Sequence, residues 1–259
     1  MSRQRSFIAL TCAACREGAV LDFDFTMAFQ PIVDVNIGRI WGYEALVRGS
    51  GGESAYHVLN QVTPETRYRF DQDCRVKAIE LAAGLFPDDE TRLSINFMPN
   101  AVYEPSACIR TTLLTAARTG FRLDRIMFEF TETEQVQDTG HLQAIINEYR
   151  RRGFVTAIDD FGAGFSGLNL LADFTPDLVK IDMDLVRGID ASQSRRAIVN
   201  GIVSICRELD ITLLAEGIET EAEMETLSEI GIDLMQGYYF SRPAVACLPA
   251  VHGLERLSA

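Results

Sequence analysis

Short apolar segments rich in β-branched residues alternate with longer segments of helical pattern along most of the chain. The short segments predict β-strands and the longer ones predict helices. Eight strands are predicted, at Met27–Val33, Ile40–Val47, Arg92–Phe97, Ile126–Phe130, Val155–Asp159, Leu178–Ile181, Thr212–Ala215 and Met235–Phe240. Helices are predicted between most of them, for example at Gln72–Leu85, Ser106–Arg118, Gly140–Arg152, Ser194–Leu209 and Glu221–Ile230. Such an alternation builds a parallel sheet, and eight strands in 259 residues predict an α/β fold that closes into a TIM-like (β/α)8 barrel.

The first two predicted strands are joined by only about six residues, Asp34 to Arg39. A parallel crossover needs a dozen or more residues, whereas two antiparallel strands can be joined by a short hairpin. We therefore expect a barrel in which the first strand runs antiparallel to its neighbour.

The composition limits the kinds of partner that the chain can have. Its formal net charge is −13, whereas non-specific nucleic-acid binding depends on basic side chains that neutralise phosphates. We therefore expect no DNA partner. No apolar run approaches the ~20 residues of a membrane-spanning helix, so we expect no membrane segment within this chain.

Six cysteines and three histidines show no clear metal-binding pattern. Cys12 and Cys15 form one CxxC pair, and the other four cysteines are scattered. A structural zinc site needs four ligands, and none of the histidines stands at ligand spacing from the pair. Scattered cysteines are typical of reduced thiols, so an ordinary thiol pair is favoured over a redox or metal site.

Polar side chains stand within or directly after most of the predicted strands, where a barrel interior should be apolar. They are Glu44 and Arg48 at the second strand, Asn96 at the third, Glu129 and Glu132 at the fourth, Asp159 and Asp160 at the fifth, Lys180 and Asp182 at the sixth, Glu216 and Glu219 at the seventh, and Gln236 at the eighth. Catalytic residues of such barrels gather at the carboxyl ends of the strands. So many carboxylates at one rim would repel one another unless a cation neutralised them.

The residue types at this rim indicate which cation would fit. Carboxylates with one amide, and without His or Cys, suit hard cations such as Mg²⁺ or Mn²⁺. Any one of these residues could instead cap a helix or turn the chain. Their recurrence at strand after strand favours an active site.

Several of these segments together resemble the EAL family of bacterial signalling domains. The similar segments are 29–34 (FQPIVD), 42–48 (GYEALVR), Asn96, 129–132 (EFTE), 159–166 (DDFGAGFS), 177–182 (DLVKID), 215–219 (AEGIE) and 236–240 (QGYYF). The resemblance spans roughly residues 26–245. It implies a barrel with a reversed first strand, and a metal-dependent phosphodiesterase that hydrolyses cyclic di-GMP to linear pGpG.

The resemblance also implies a role for most of the rim residues. Two Mg²⁺ or Mn²⁺ ions would be bound, one by Glu44, Asn96, Glu129 and Asp159, the other by Asp160 with Asp159 shared. Lys180 would orient the attacking water or stabilise charge, Glu216 would be a general base or outer acceptor, and Gln236 would hold a water. Gln30 would contact a guanine edge and Arg48 a phosphate, while Glu132 and Glu219 would anchor the neighbouring loops. A homodimer is implied as well.

Three departures from the family pattern bear on substrate affinity, loop coupling and dimer geometry. A glycine-rich segment, Gly49–Gly52, replaces the usual continuation after Arg48, and the segment after it is short. Phe165 and Gly167 stand where Tyr and Ser are common. Phe97–Pro99 follows Asn96 in place of a small Ser. None of these changes removes a proposed ligand.

Two other functions remain alternatives to catalysis. The domain could be a catalytically weak cyclic di-GMP receptor or a protein-interaction module, but such members usually lack ligands that are all present here. A barrel with merely structural acids is the third reading. It would show no stabilisation by metal.

The amino-terminal residues resemble a short signal peptide, since a basic start precedes an apolar stretch and Cys15. That stretch is of minimal length, and the implied substrate is cytosolic. We therefore interpret residues 1–25 as a leader or linker and residues 26–259 as the barrel domain, and we expect a cytoplasmic protein. Cleavage near Cys15, seen by intact mass, would contradict this interpretation.

Overall fold

Eight strands close into a barrel in the computed structural model, which describes residues 20–131, 139–164 and 167–252. The strands are β1 Phe25–Asp34, β2 Arg39–Gly49, β3 Arg92–Asn96, β4 Ile126–Thr131, β5 Val155–Phe161, β6 Leu178–Ile181, β7 Thr212–Ala215 and β8 Leu234–Met235. They neighbour one another in chain order from β2 to β8, and β1 lies between β8 and β2. A short strand β9, Ala244–Val245, pairs with β1.

The direction of β1 follows from its short connection to β2. β1 pairs antiparallel with both β2 and β8, while β2 to β8 pair parallel with their neighbours. In the hairpin turn, Asp34 Oδ1 accepts hydrogen bonds from the backbone N–H groups of Asn36 and Ile37, and Gly38 has a φ of 61°. Asp and Gly are the residues that such a turn requires. The predicted barrel with a reversed first strand is confirmed.

Helices cover the outside of the barrel. They are α1 Ala55–Leu59, α2 Arg67–Leu85, α3 Pro105–Cys108, α4 Arg110–Thr119, α5 Thr139–Arg151, α6 Gly167–Asp173, α7 Met183–Val186, α8 Gln193–Glu208 and α9 Glu221–Ile230. Two 3₁₀ turns lie at Pro99–Ala101 and Leu123–Arg125. No helix in the described ranges combines the length and the apolar character needed to cross a bilayer.

Several predicted boundaries were wrong. Helix α2 begins five residues before the predicted Gln72, and the predicted helix 106–118 is two helices that meet at Ile109. Strand β8 ends at Met235 rather than Phe240. The chain turns away there because the backbone N–H of Tyr239 bonds to the carbonyl of Ile218 instead of continuing a strand ladder.

The barrel has one apolar layer inside it and a larger apolar core between strands and helices. The inner layer consists of Ile32, Met127, Ala157, Leu178, Leu214 and Leu234, which come from six different strands. Leu21 and Phe23, which precede β1, are partly buried and pack against the larger core. Most of residues 1–25, with Cys12 and Cys15, lie outside the described ranges, so their role as a leader or linker stays a prediction.

Gly237 offers a test of how closely the chain after β8 packs on the loop after β7. A Cβ at this position would overlap the backbone nitrogen and oxygen of Ile218. We expect Gly237→Ala to lower the free energy of unfolding in urea by about 1–3 kcal/mol, the usual cost of overpacking.

Gly201→Ala is the matched control, since this exposed glycine of α8 has open space around its Cα. It should raise the free energy of unfolding by about 0.5–1 kcal/mol through helix propensity. Equal stability of the two variants would contradict the close approach at Gly237.

Candidate active site

The site residues lie one layer above the apolar floor because side chains alternate along a strand. Residues two apart on a strand point to the same side of the sheet, so each polar residue shares the interior with the apolar residue two positions before it. The pairs are Met127 and Glu129, Ala157 and Asp159, Leu178 and Lys180, Leu214 and Glu216, and Leu234 and Gln236. On the reversed strand β1 the order is inverted, and Gln30 stands two residues before Ile32.

Lys180 lies at the centre of the site and is fully buried. Its Nζ is 2.7 Å from Glu216 Oε1, 3.0 Å from Asp159 Oδ1 and 3.1 Å from Glu129 Oε2. Glu44 Oε2 is 3.6 Å away. One ammonium group therefore neutralises part of the charge of four carboxylates that come from four parts of the barrel wall.

A hydrogen-bond network ties the β1, β2, β3 and β8 residues to this centre. Asn96 Nδ2 donates to Glu44 Oε1 and to Glu129 Oε1, each at 2.9 Å. Gln236 Nε2 donates to Glu44 Oε2 at 2.7 Å and to Gln30 Oε1 at 3.2 Å. The Oε1 atom of Gln236 is buried and has no partner within the described part of the chain.

A bulge in β5 brings two successive aspartates to the same rim. In a regular strand Asp159 and Asp160 would point to opposite faces. Here the pairing with β6 shifts register between Ile158 and Phe161, and Asp160 has a φ of 53°. Asp tolerates this left-handed conformation better than most residues, and bulges commonly redirect side chains at functional sites. One oxygen from each of Asp159, Asp160 and Glu216 consequently lies within 4.8 Å of the others.

Electrostatics at the site follow from burial and from crowding of like charges. Burial by itself would lower the pKa of Lys180, but the surrounding carboxylates outweigh it and raise that pKa well above its usual value. Burial raises the pKa values of Glu129 and Glu216 well above the ordinary range, and the charge of Asp159 raises both further. In the absence of a further cation, the cluster therefore tends to retain protons.

The pKa values of Glu44 and Asp160 are shifted in opposite directions. Burial favours a raised pKa at Glu44, but Lys180 and several hydrogen bonds to its carboxylate lower it overall. Burial, followed by the charges of Asp159 and Asp182, raises the pKa of Asp160 to about 6.

The donor set fits divalent cations that prefer oxygen. Two overlapping groups of carboxylates can each surround an ion, Glu44–Glu129–Asp159 and Asp159–Asp160–Glu216, and they share Asp159. The side-chain nitrogen of Asn96 now faces the first group. A cation there would need the amide turned so that its oxygen faces the ion. The exposed position of Asn96 at the rim leaves room for that rotation.

The other predicted residues lie around the mouth of a cavity of about 250 Å³ beside this centre. Gln30, Glu44, Asp160, Glu216, Glu219 and Gln236 all line it. Glu219 is exposed and pairs with Arg187, which also lines the cavity. Arg48 is half-buried at the end of β2 and donates to its neighbour's carbonyl, outside the cavity lining. Glu132 lies outside the described residues.

Ser94 is a site residue that the sequence prediction missed, and Asp182 is one that it named at the rim without giving it a role. Ser94 Oγ donates to Glu129 Oε2 at 2.5 Å, and its place two residues before Asn96 could have indicated the shared interior face. Asp182 lines the cavity and caps α7 by accepting from the backbone N–H of Asp184. Its capping role explains why an Asp stands directly after β6, and its charge adds to the raised pKa of Asp160.

Asp160→Asn should stabilise the metal-free protein at neutral pH. The pKa of about 6 in the folded chain exceeds the value of about 3.9 of an unfolded Asp, so the ionised form is disfavoured by folding. The resulting destabilisation is complete above about pH 6 and absent below about pH 4. Asn removes the charge and also adopts a left-handed backbone readily.

Thermal melts in chelator at pH 7.5 and pH 4 would measure this effect. We expect the variant to melt a few degrees above the unmodified chain at pH 7.5 and together with it at pH 4. Asp173→Asn, at an exposed position, is the matched control and should leave the melting temperature unchanged at both pH values. An unchanged or lower melting temperature for Asp160→Asn at pH 7.5 would contradict the electrostatic account.

The sequence model of the family described as EAL domain matches residues 16–243. Among curated proteins, the chain is 30% identical over 229 residues to the blue light- and temperature-regulated antirepressor BluF of Escherichia coli, covering 88% of this chain and 57% of that protein. It is 27% identical over 248 residues to the cyclic di-GMP phosphodiesterase PA2567 of Pseudomonas aeruginosa, covering 93% of this chain and 42% of that protein. The chain thus spans about half the length of these curated relatives.

Solved structures with the same fold include complexes with c-di-GMP. A standalone versatile EAL protein from Vibrio cholerae, in its c-di-GMP bound form, has a TM-score of 0.88 and 54% identity, covering 91% of this chain and 99% of that one. BlrP1 of Klebsiella pneumoniae, in a manganese and cy-diGMP complex, has a TM-score of 0.83 and 36% identity. The match covers 90% of this chain and 59% of that one. Because the family match covers most of the sequence and the fold agrees, this chain belongs to the EAL domain family.

Proposed function

We propose that this domain hydrolyses cyclic di-GMP to linear pGpG with two divalent metal ions, Mg²⁺ or Mn²⁺. The observation that carries the proposal is the pair of carboxylate groups that share Asp159 beside a buried lysine. A relative named as a cyclic di-GMP phosphodiesterase and a neighbour solved with manganese and the dinucleotide support it.

The first ion would be held by Glu44, Asn96, Glu129 and Asp159, and the second by Asp159 and Asp160. When bound, ions held by these residues would lower the pKa of an attacking water and would supply positive charge next to the phosphate. The apolar layer under the site prevents water from approaching from below, which keeps these electrostatic interactions strong.

Lys180 and Glu216 would then handle charge and protons. The 2.7 Å contact between their side chains fixes both groups, and Glu216 is the candidate acceptor for a proton from water. Lys180 would stabilise negative charge that develops on the phosphate oxygens. Gln236, whose Oε1 atom has no partner among the described residues, would hold a water in place.

The substrate would lie over the cavity mouth. Gln30 would present its amide to a guanine edge, Arg48 would face a phosphate, and Glu219 would keep the neighbouring loop in place through its contact with Arg187. Glu132 is proposed to anchor the loop after β4, on the basis of the sequence motif alone.

A receptor or interaction function is the second candidate. The relative named as an antirepressor supports it, because its name describes control of another protein rather than hydrolysis. The glycine-rich segment after Arg48 is the feature of this chain that fits it best. The complete ligand set favours the enzyme.

The setting of the domain is also a proposal. We infer a cytoplasmic location, since the proposed substrate is cytosolic, and a domain that begins near residue 26 after a leader or linker. We infer a homodimer as well. Helix α8 supports the dimer, because Ile198, Ile205 and, at its end, Leu209 expose 51%, 37% and 38% of their surfaces on one side of the helix.

Chromatography of cyclic di-GMP incubated with the protein and Mn²⁺ or Mg²⁺ would test the activity. We expect pGpG, and we expect its formation to stop in chelator. Glu44→Gln should lower the rate more than about 100-fold, since even the outer partners of metal ligands usually contribute 10–100-fold.

Glu225→Gln, an exposed substitution on α9, is the control and should leave the rate unchanged. Binding of the dinucleotide without product in the unmodified protein would favour the receptor. Full activity of a clean Glu44→Gln preparation would contradict the metal assignment.

Light scattering would test the dimer. Ile198→Glu combined with Ile205→Glu places charges on the exposed apolar side of α8 and should convert a dimer to a monomer. A monomeric unmodified chain, or a double variant that stays dimeric, would contradict the proposal.

A further inference from the structure

Helix α2 buries an ion pair outside the catalytic cluster. Asp71 and Arg75 stand one turn apart, with 3% and 0% of their surfaces exposed, and Asp71 Oδ2 lies 2.8 Å from an Arg75 Nη atom. Gln72 Nε2 donates to the same carboxylate oxygen at 3.1 Å. Arg75 also donates to the hydroxyl of Tyr149 on α5 at 2.6 Å, so the pair joins two helices behind the barrel wall.

The other oxygen of Asp71 reaches the loop that carries a proposed metal ligand. Asp71 Oδ1 accepts the backbone N–H of Met98 at 3.0 Å. Met98 is two residues after Asn96, and between them Phe97 donates its N–H to the carbonyl of Glu129. The backbone directly after Asn96 is therefore fixed at two successive residues, once by the neighbouring strand and once by Asp71.

Arg75 lies against the aromatic residues that alternate with the ligands. Its guanidinium carbon is 5.0 Å from the centre of the Phe128 ring and 5.4 Å from that of Phe97. Phe97 follows Asn96, and Phe128 precedes Glu129 on β4. Neighbouring residues on a strand point to opposite faces, so the ligands point into the barrel while these rings pack outward on Arg75.

A buried ion pair of this kind is a poor source of stability. Desolvation of the two charges offsets their attraction, and apolar residues of similar volume often serve equally well. Such pairs can instead fix one arrangement of neighbouring groups. The group fixed here is the backbone N–H of Met98, which no apolar side chain could hold.

We propose that Asp71, held in place by Arg75, is a positioning residue for Asn96 and thereby for the first metal ion. The hydrogen bond to Met98 sets the course of the loop after β3, and so the place of the Asn96 amide opposite Glu44 and Glu129. The inference rests on the proposed metal site.

Two double variants isolate the hydrogen bond from the charges. Asp71→Asn with Arg75→Met removes both charges but keeps a side-chain oxygen for Met98. Asp71→Leu with Arg75→Met has nearly the same shape and offers no acceptor. Urea unfolding would show whether the two variants are equally stable, and electron paramagnetic resonance of free Mn²⁺ would give the affinity for the metal alone.

We expect the Asn variant to bind Mn²⁺ within about threefold of the unmodified protein and the Leu variant to bind about tenfold or more weakly, as for other outer partners of metal ligands. Equal affinities in the two variants would overturn the proposal. Asp71→Ala with Arg75→Met replaces the Leu variant if that one does not fold, with the same expectation. Absence of Mn²⁺ binding by the unmodified protein, tested beside Asn96→Ala, would instead overturn the proposed metal site.

Discussion

The buried ammonium group of Lys180 is the interaction on which the carboxylate rim depends. Four carboxylates surround it within 3.6 Å, and the cluster keeps an excess of negative charge even after one positive charge is counted. Burial raises the pKa values of Glu129 and Glu216 in the metal-free protein, and the surrounding negative charge raises them further. Divalent cations would replace the retained protons, so metal binding at this rim should release protons to the solvent.

The position of this charge follows from barrel geometry. Each strand from β4 to β8 contributes an apolar residue to the floor and, two residues later, a polar residue to the layer above, and β1 contributes the two in reverse order. The floor excludes water from below, and the loops leave the layer open from above, where Asn96 is exposed. The same period of two that builds a packed barrel thus also concentrates oxygen ligands at one end, without any special local structure on most strands.

Much of this could be predicted from the sequence, because it depends on local patterns. Alternating apolar segments gave the strands, and the short link between Asp34 and Arg39 gave the reversal of β1. The polar residues at strand ends predicted the cluster of carboxylates that the structure brings together. The early end of β8 could not be predicted, because it depends on a hydrogen bond to Ile218, a residue on another strand's loop. Helix α1 was missed since its five residues carry little periodic signal, and its capping by Ser54 depends on the local turn.

The bulge at Asp159 and Asp160 was hidden from the sequence for a different reason. In a regular strand, two adjacent acids would point one into the barrel and one outward. Only the register shift against β6 places both at the rim. This shift puts Asp160 in a left-handed conformation and close to other charges, which makes the residue unfavourable for the metal-free fold. Strain of this kind persists only where the surrounding structure enforces it. On β5 the next residue, Phe161, is buried and pairs with Ile181 of β6, so the strand resumes its register immediately and holds the bulge from both sides.

Strands β3 and β4 have polar or charged groups on both of their faces. Glu129 and the amide of Asn96 lie toward the barrel axis, while Arg75 packs on the rings of Phe97 and Phe128 from outside. A ligand that must stay within a fraction of an ångström of its place needs support for the backbone as well as the side chain. The rings of Phe97 and Phe128 connect that support to the strands, because Arg75 of α2 packs against both of them. The support behind β3 and β4 therefore positions Asn96 and Glu129 on one side of the proposed metal site, while the strained bulge of β5 positions Asp159 and Asp160 on the other.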